Sequence, residues 1–166
     1  MKQTQQIELM KHMLTMIDNH STEDAGQVVK NPTSSYVCEN LARQEWDQFF
    51  AHHPQIIGLS ADLPEPGTFM TNNDLGIPVL ATRDGDGQFH ALVNACRHRG
   101  AILTEAERGK QQRFACPFHA WTYASDGRPL GIRAPQKFGA IDKECHGLVE
   151  LPSAEKYGLL VVLTPS

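Results

Sequence analysis

Four side chains with metal-binding chemistry stand in two short runs, Cys96-Arg97-His98-Arg99-Gly100 and Cys116-Pro117-Phe118-His119-Ala120-Trp121. Their order is Cys-x-His and then Cys-x-x-His, with seventeen residues, 99 to 115, between the two. A structural zinc finger usually offers a cysteine pair and then a histidine pair, all closing on one ion. Here each run brings one of each. A mixed pair per loop suits an object with two metals, because the two thiolates can take one iron of a [2Fe-2S] cluster while the two imidazoles take the other. A single zinc ion accepts the same ligand types and is the alternative, with only the order of the ligands against it.

The residues around the four ligands carry a family resemblance. Cys96-x-His98 with Cys116-x-x-His119 resembles the Rieske signature, and the fuller runs Cys-Arg-His-Arg-Gly and Cys-Pro-Phe-His-Ala-Trp are similar to those of the α subunits of bacterial ring-hydroxylating oxygenases. The likeness continues through Glu45-Trp-Asp-Gln-Phe-Phe50, Leu63-Pro-Glu-Pro-Gly67, Arg83-Asp-Gly85 and Tyr123-Ala-Ser-Asp-Gly-Arg128, covering roughly residues 34 to 164. Ala120 stands where that family commonly has glycine.

The resemblance implies one Rieske-type [2Fe-2S] cluster per chain, bound by Cys96, His98, Cys116 and His119, and one-electron transfer in aromatic ring hydroxylation. It implies a reductase or ferredoxin as electron donor. The acceptor would be a mononuclear iron in an oxygenase catalytic domain or a neighbouring subunit, within a homotrimer where the chain is part of a full-length oxygenase. The family's catalytic iron is held by two histidines and a carboxylate. No such triad is read here, so the chain is expected to lack that domain and to hold no catalytic residue.

The alternative is a stand-alone Rieske-type ferredoxin, against which stand the helical N-terminal extension and the Arg-Gly and Trp that follow the ligands. The Rieske subunit of respiratory cytochrome bc complexes is disfavoured, because that type has an extra cysteine in each loop where this sequence has Ala101 and Phe118. Without that disulfide, and with Trp121 where that type has a serine, the potential is expected in the lower part of a range of roughly −150 to +300 mV.

The resemblance also gives readings for the neighbours. Tyr123 is expected either to donate to a ligand thiolate or to pack in the core, Trp121 to keep water from the cluster, and Gly100 to adopt a backbone angle that other residues resist. Arg97 and Arg99 either meet a partner's carboxylates or hold the first loop against the second. His146, beside Cys145 in a polar loop, is expected to face solvent.

The elements that must position these loops read as mainly β. The fold class expected is a Rieske-type antiparallel β-sandwich or barrel with two cluster-binding loops, preceded by N-terminal helices. Ile7, Met10, Met13, Leu14 and Ile17 predict a helix over 5–18, with a stripe suited to core or a subunit contact. Residues 19–35 are polar and aperiodic, a linker or arm. A second helix is expected over 37–51, packing Ala42, Trp46, Phe49 and Phe50 on the sheet before Pro54 ends it.

Strand character follows at 68–71, 77–82, 89–93, 113–115, 121–124 and 158–163, with turns at Asp84-Gly85, Asp86-Gly87 and Asp126-Gly127. The expected domains are an arm, 1–35, and a Rieske domain, 36–166. At 166 residues, net charge −4 and pI near 6.0, the chain carries one core and points to neither nucleic acid nor an anionic membrane. No apolar run nears the ~20 residues of a membrane span, and no secretion signal is read. A cytoplasmic protein is expected, with Cys38 and Cys145 as thiols outside the cluster.

Overall fold

The computed structural model describes residues 1–133, 135–138 and 144–164; the last two residues of the expected 36–166 domain lie outside these. The chain divides into two units, Met1–Cys38 and Glu39–Ser166. In the first, helix α1 (Gln3–Asp18) buries no residue, so its apolar stripe lies exposed rather than in a core. His12 pairs with Glu23 (Nε2 to Oε1, 2.5 Å), and a 3-10 turn covers Thr33–Val37. Among the described residues no helix is long and apolar enough to cross a membrane.

The second unit opens with α2 (Glu39–Glu45), which widens into a π-helical turn over Trp46–Phe50. The expectation that this helix packs on the sheet is corrected: it buries no residue, and Phe49 is 65% exposed. The aromatic rings meet each other instead, Trp46 stacking on Phe50 with centroids 5.7 Å apart. The widened turn closes through the Ala51 amide to the Trp46 carbonyl, and the Gln55 side chain donates to the carbonyls of Phe50 and His53, both at 3.0 Å. The backbone groups freed at the helix end are thereby satisfied locally.

Among the described residues ten strands follow: β1 (Gln55–Leu59), β2 (Thr68–Asn72), β3 (Val79–Arg83), β4 (Phe89–Val93), β5 (Arg108–Lys110), β6 (Arg113–Ala115), β7 (Thr122–Ala124), β8 (Pro129–Gly131), β9 (Ser153–Lys156) and β10 (Leu159–Val162). They form three antiparallel sheets in the orders β1-β10-β9, β4-β3-β2-β5 and β6-β7-β8. In the four-stranded middle sheet the central strand β3 is buried on both faces. On β3, Val79 and Ala81 join cores shared with Leu160 and Val162 of β10, while Leu80, between them, joins the core that holds Cys96, Cys116, Phe114 and Tyr123. A strand covered on both sides needs an unbroken apolar run rather than alternation, and residues 77–82 supply it.

Specific polar bonds tie the layers. Arg83, at the end of β3, makes a two-pronged pair with Glu155 of β9 (2.6 and 3.0 Å) and donates to the carbonyls of Leu63 and Gly87. Thr82 donates to the Ser125 carbonyl at 2.5 Å, fastening the middle sheet to the turn after β7. In that turn Gly127 has φ +84, and a methyl group there would meet Leu92 Cδ2 at 2.9 Å, so both backbone angle and space demand glycine. The turn between β3 and β4 is closed by Asp84, whose carboxylate accepts from the amides of Asp86 and Gln88. Its other oxygen meets His90 Nε2 at 2.9 Å, while His90 Nδ1 meets Glu150 at 3.1 Å.

Two of these pairs set opposite limbs of a stability profile. Arg83 holds the Glu155 carboxyl down at about 2, so that contribution is full above the ordinary 4.5 and is lost as pH falls toward 2. Burial lowers the His90 value, but Asp84 and Glu150 together raise it further, leaving it above the ordinary 6.5. Its contribution is therefore full below 6.5 and lost as pH rises through the folded value. In urea unfolding, Glu155→Gln should flatten the loss of stability on going from about pH 5 to about pH 3, and His90→Gln the loss as pH rises above about 6.5. Curves parallel to the parent's would contradict both assignments.

Candidate metal centre

The two cysteine runs fold into the same turn. In the first, which follows β4, the Cys96 amide donates to the Ala101 carbonyl and the Gly100 amide to the Cys96 carbonyl, both at 2.8 Å. In the second, between β6 and β7, the Cys116 amide donates to the Trp121 carbonyl at 2.8 Å and the Ala120 amide to the Cys116 carbonyl at 2.9 Å. Each turn closes four residues after its cysteine on a left-handed residue, Gly100 at φ 71 and Ala120 at φ 55. The first angle is the one expected of Gly100. The second explains why glycine suits position 120, since a Cβ in this region costs energy that glycine does not.

The first loop is pinned by Asn94, 1% exposed, a residue to which sequence reasoning gave no role. Its side-chain amide donates to the Thr104 carbonyl at 2.8 Å, and its Oδ1 accepts from the amides of Leu103 and Thr104 at 3.3 and 3.4 Å. One buried side chain thus joins the loop's start to its finish. The only signal in the sequence was a polar residue at the end of an apolar strand.

The turns bring all four expected residues together, sorted by type. Cys96 and Cys116 lie buried in one apolar cluster with Leu103, Phe114, Trp121 and Tyr123. His98 and His119 are half-buried, with ring centroids 4.7 Å apart. Trp121, 2% exposed, lies parallel to His98 at 5.2 Å, in keeping with its expected covering role. Among the described residues no group of three or more His, Cys, Asp or Glu side chains is arranged to hold one ion.

Tyr123 packs in the core, as one of its two readings expects, and its hydroxyl also lies within hydrogen-bond distance of Cys96. It is wholly buried, its hydroxyl lies 3.3 Å from Cys96 Sγ, and it accepts from the Arg97 amide at 3.1 Å. With that oxygen accepting the amide proton, the hydroxyl can give its own proton to the sulfur, or take one from a protonated thiol. Burial pushes the phenol's pKa well up, so it stays a donor. Burial also pushes the Cys96 thiol up, and neighbouring Cys116 adds to this, while Tyr123 and the His98 amide pull the other way. The His98 ring is held below the ordinary imidazole value, first by loss of water and then by His119 and Arg99. Neutral imidazole is the form that binds metals.

These donors fit a mixed-ligand iron-sulfur cluster. His119 Nδ1 is buried without a hydrogen-bond partner among the described residues, an unmet need that a metal bond would satisfy. A buried pair of thiols without a nearby cation is costly to ionise, whereas metal coordination removes the protons outright.

Arg97 and Arg99 are exposed and form no ion pair among the described residues. One other expectation requires correction. His146 does not simply face solvent: it is half-buried, with its ring edge-on to Trp121 at 5.6 Å. Phe138, not singled out in the sequence, packs against the same cluster.

The left-handed Ala120 generates a test. Ala120→Gly should raise stability by about 1 kcal/mol, or roughly 2–4 °C in Tm, with no change in the loop's hydrogen bonds. A lower Tm would contradict the strain assigned to this residue.

Comparison with known proteins agrees with this geometry. Residues 53–153 match the Rieske [2Fe-2S] domain. Over 103 residues the chain is 42% identical to the anthranilate 1,2-dioxygenase large subunit of Acinetobacter baylyi, a match covering 61% of this chain and 22% of that protein. It is 38% identical over 99 residues to the glycine betaine monooxygenase oxygenase subunit of Pseudomonas aeruginosa, covering 60% of this chain and 23% of the relative. Among solved structures, the apo form of a quaternary ammonium Rieske monooxygenase superposes with a TM-score of 0.72 at 26% identity, over 82% of this chain and 40% of that one. The chain thus spans less than a quarter of the length of these two curated relatives. Two equivalent turns presenting a thiol pair and an imidazole pair, and a match over most of the second unit, place this chain in the Rieske [2Fe-2S] domain family.

Proposed function

We propose that Cys96 and Cys116 hold one iron of the cluster and His98 and His119 the other, one cluster per chain. On this reading the chain is the electron-transfer part of an oxygenase large subunit. The observation that carries it is the placing of both cysteines in one buried cluster and both imidazoles against each other, from two equivalent turns. When bound, the cluster supplies a one-electron carrier whose potential is set by hydrogen bonds to sulfur and by solvent exposure.

The chain's own residues divide the tasks. Phe114, Leu103 and Trp121 keep water from the thiol side, while Tyr123 and the His98 amide aim donors at Cys96. The imidazoles are less deeply buried than the cysteines, so the histidine side is where a redox partner would make contact. Exposed Arg97, Arg99 and Phe118 flank that side in sequence.

A reductase or ferredoxin is the donor we infer. The acceptor is a mononuclear iron in a catalytic domain or neighbouring subunit, belonging to sequence outside the matched portion of the relatives. The two curated relatives are named for an aromatic acid and for a quaternary amine. Both carry this domain, so the substrate is chosen elsewhere. The domains we infer are an arm over 1–35 and the cluster domain over 36–166, and the expected compartment is the cytoplasm.

Two measurements test the assignment. The purified chain should be brown, with about two irons and two acid-labile sulfides, and the reduced protein should give the low average g value of mixed ligation. His98→Ala and His119→Ala should each abolish it; one zinc per chain, or a signal of all-cysteine ligation, would refute the reading. Separately, Tyr123→Phe should keep the cluster and lower its reduction potential, because a donor to sulfur stabilises the more negative reduced form. An unchanged or higher potential would show that the hydroxyl serves packing alone.

A further inference from the structure

A ring outside both loops contacts the imidazole pair. Phe138 follows the 3-10 turn Pro135–Lys137, and its amide donates to the Pro135 carbonyl at 3.0 Å. Its ring stands edge-on to His98 at 5.0 Å and 87°, to His119 at 6.1 Å and 81°, and to Trp121 at 5.7 Å and 84°. Trp121 lies parallel to His98, and Phe118 lies tilted against His119 at 4.1 Å. Among the described residues Phe138 is the one ring that reaches both imidazoles and the tryptophan, closing an aromatic box around the histidine side. It is half-buried and packs on the cluster of apolar residues that holds the two cysteines.

We infer that Phe138 is a positioning residue for the imidazole pair: its ring, set edge-on to His98, His119 and Trp121, fixes the imidazole orientations and limits the water that reaches the histidine-bound iron. The inference rests on the ligand assignment proposed above. Its physical content is the difference between the two sides of the site. The thiol side is sealed by the protein core, whereas the histidine side is open except where aromatic rings cover it. Reduction adds one negative charge, and water stabilises that charge better than an aromatic ring does. Removing the ring should therefore favour reduction.

The test uses the full chain with its cluster. Phe138→Ala, Phe138→Leu and Phe138→Tyr are loaded, checked for iron and sulfide, and titrated against a redox dye, with the electron paramagnetic resonance spectrum recorded for each. The reduction equilibrium should shift at least threefold toward the reduced form in Phe138→Ala, about 28 mV at 59 mV per tenfold for one electron. Phe138→Leu should shift in the same direction, and Phe138→Tyr, which restores a ring, should return to the parent value. The g values should move in Phe138→Ala and return in Phe138→Tyr.

A ring that only stabilises the fold would lower cluster retention while leaving the potential of loaded molecules unmoved, and that result overturns the inference. So would a shift toward the oxidised form. Loss of the cluster in both Phe138→Ala and Phe138→Leu overturns it as well, since the ring would then be needed for assembly. If Phe138→Ala alone loses the cluster, Phe138→Leu decides. A parent chain without two irons refutes the ligand assignment instead, so the two failures are distinguishable.

Discussion

Two thiols from turns twenty residues apart must lie side by side in an apolar layer, and much of the second unit serves that constraint. Burial opposes ionisation of the Cys96 thiol, so that thiol is tolerable only where a cation meets it or where it stays protonated. The middle sheet gives the layer its floor through Leu80, Leu92 and Phe69, and β6 and β7 give it Phe114 and Tyr123. The two turns then close by equivalent hydrogen bonds, which keeps the sulfurs inward while the imidazoles, two and three residues further on, reach toward the surface. Asn94 and Tyr123 hold this arrangement from behind, each by bonds to the first loop's backbone.

The four candidate ligands were legible because their chemistry and spacing are local. So were three of the four strands of the middle sheet, β2, β3 and β4, to within a residue or two. β1, β5, β8 and β9 escaped notice; of these, Arg108-Gly-Lys110 and Ser153-Ala-Glu-Lys156 are short edge strands with every residue exposed, so no apolar period marks them. The helix around Trp46 was legible as a helix and misread in its packing. Its aromatic spacing fits a buried face, but Trp46 and Phe50 are also a turn apart and stack on each other. Phe138 and His146 were opaque because they lie at least seventeen residues beyond the second loop, and only tertiary structure brings them to it.

Ala120 joins the sequence and structural arguments. As a sequence feature it is a departure from the glycine common in the resembled family. In the structure it occupies the left-handed position that Gly100 fills in the sister turn. The turn is kept by its hydrogen bonds despite the strain, as expected where surrounding contacts over-determine a backbone angle. The two turns thus share one geometry with different residues at the critical angle, and the histidine occupies the third position of one and the fourth of the other.

The central claim is that the ligands divide by type, thiolates on one iron and imidazoles on the other. Mössbauer spectroscopy of the oxidised, 57Fe-loaded chain reads this directly, because the two irons then have different donor sets. The account predicts two quadrupole doublets of equal area and distinct isomer shift. A single doublet, from two irons with the same ligands, would contradict it.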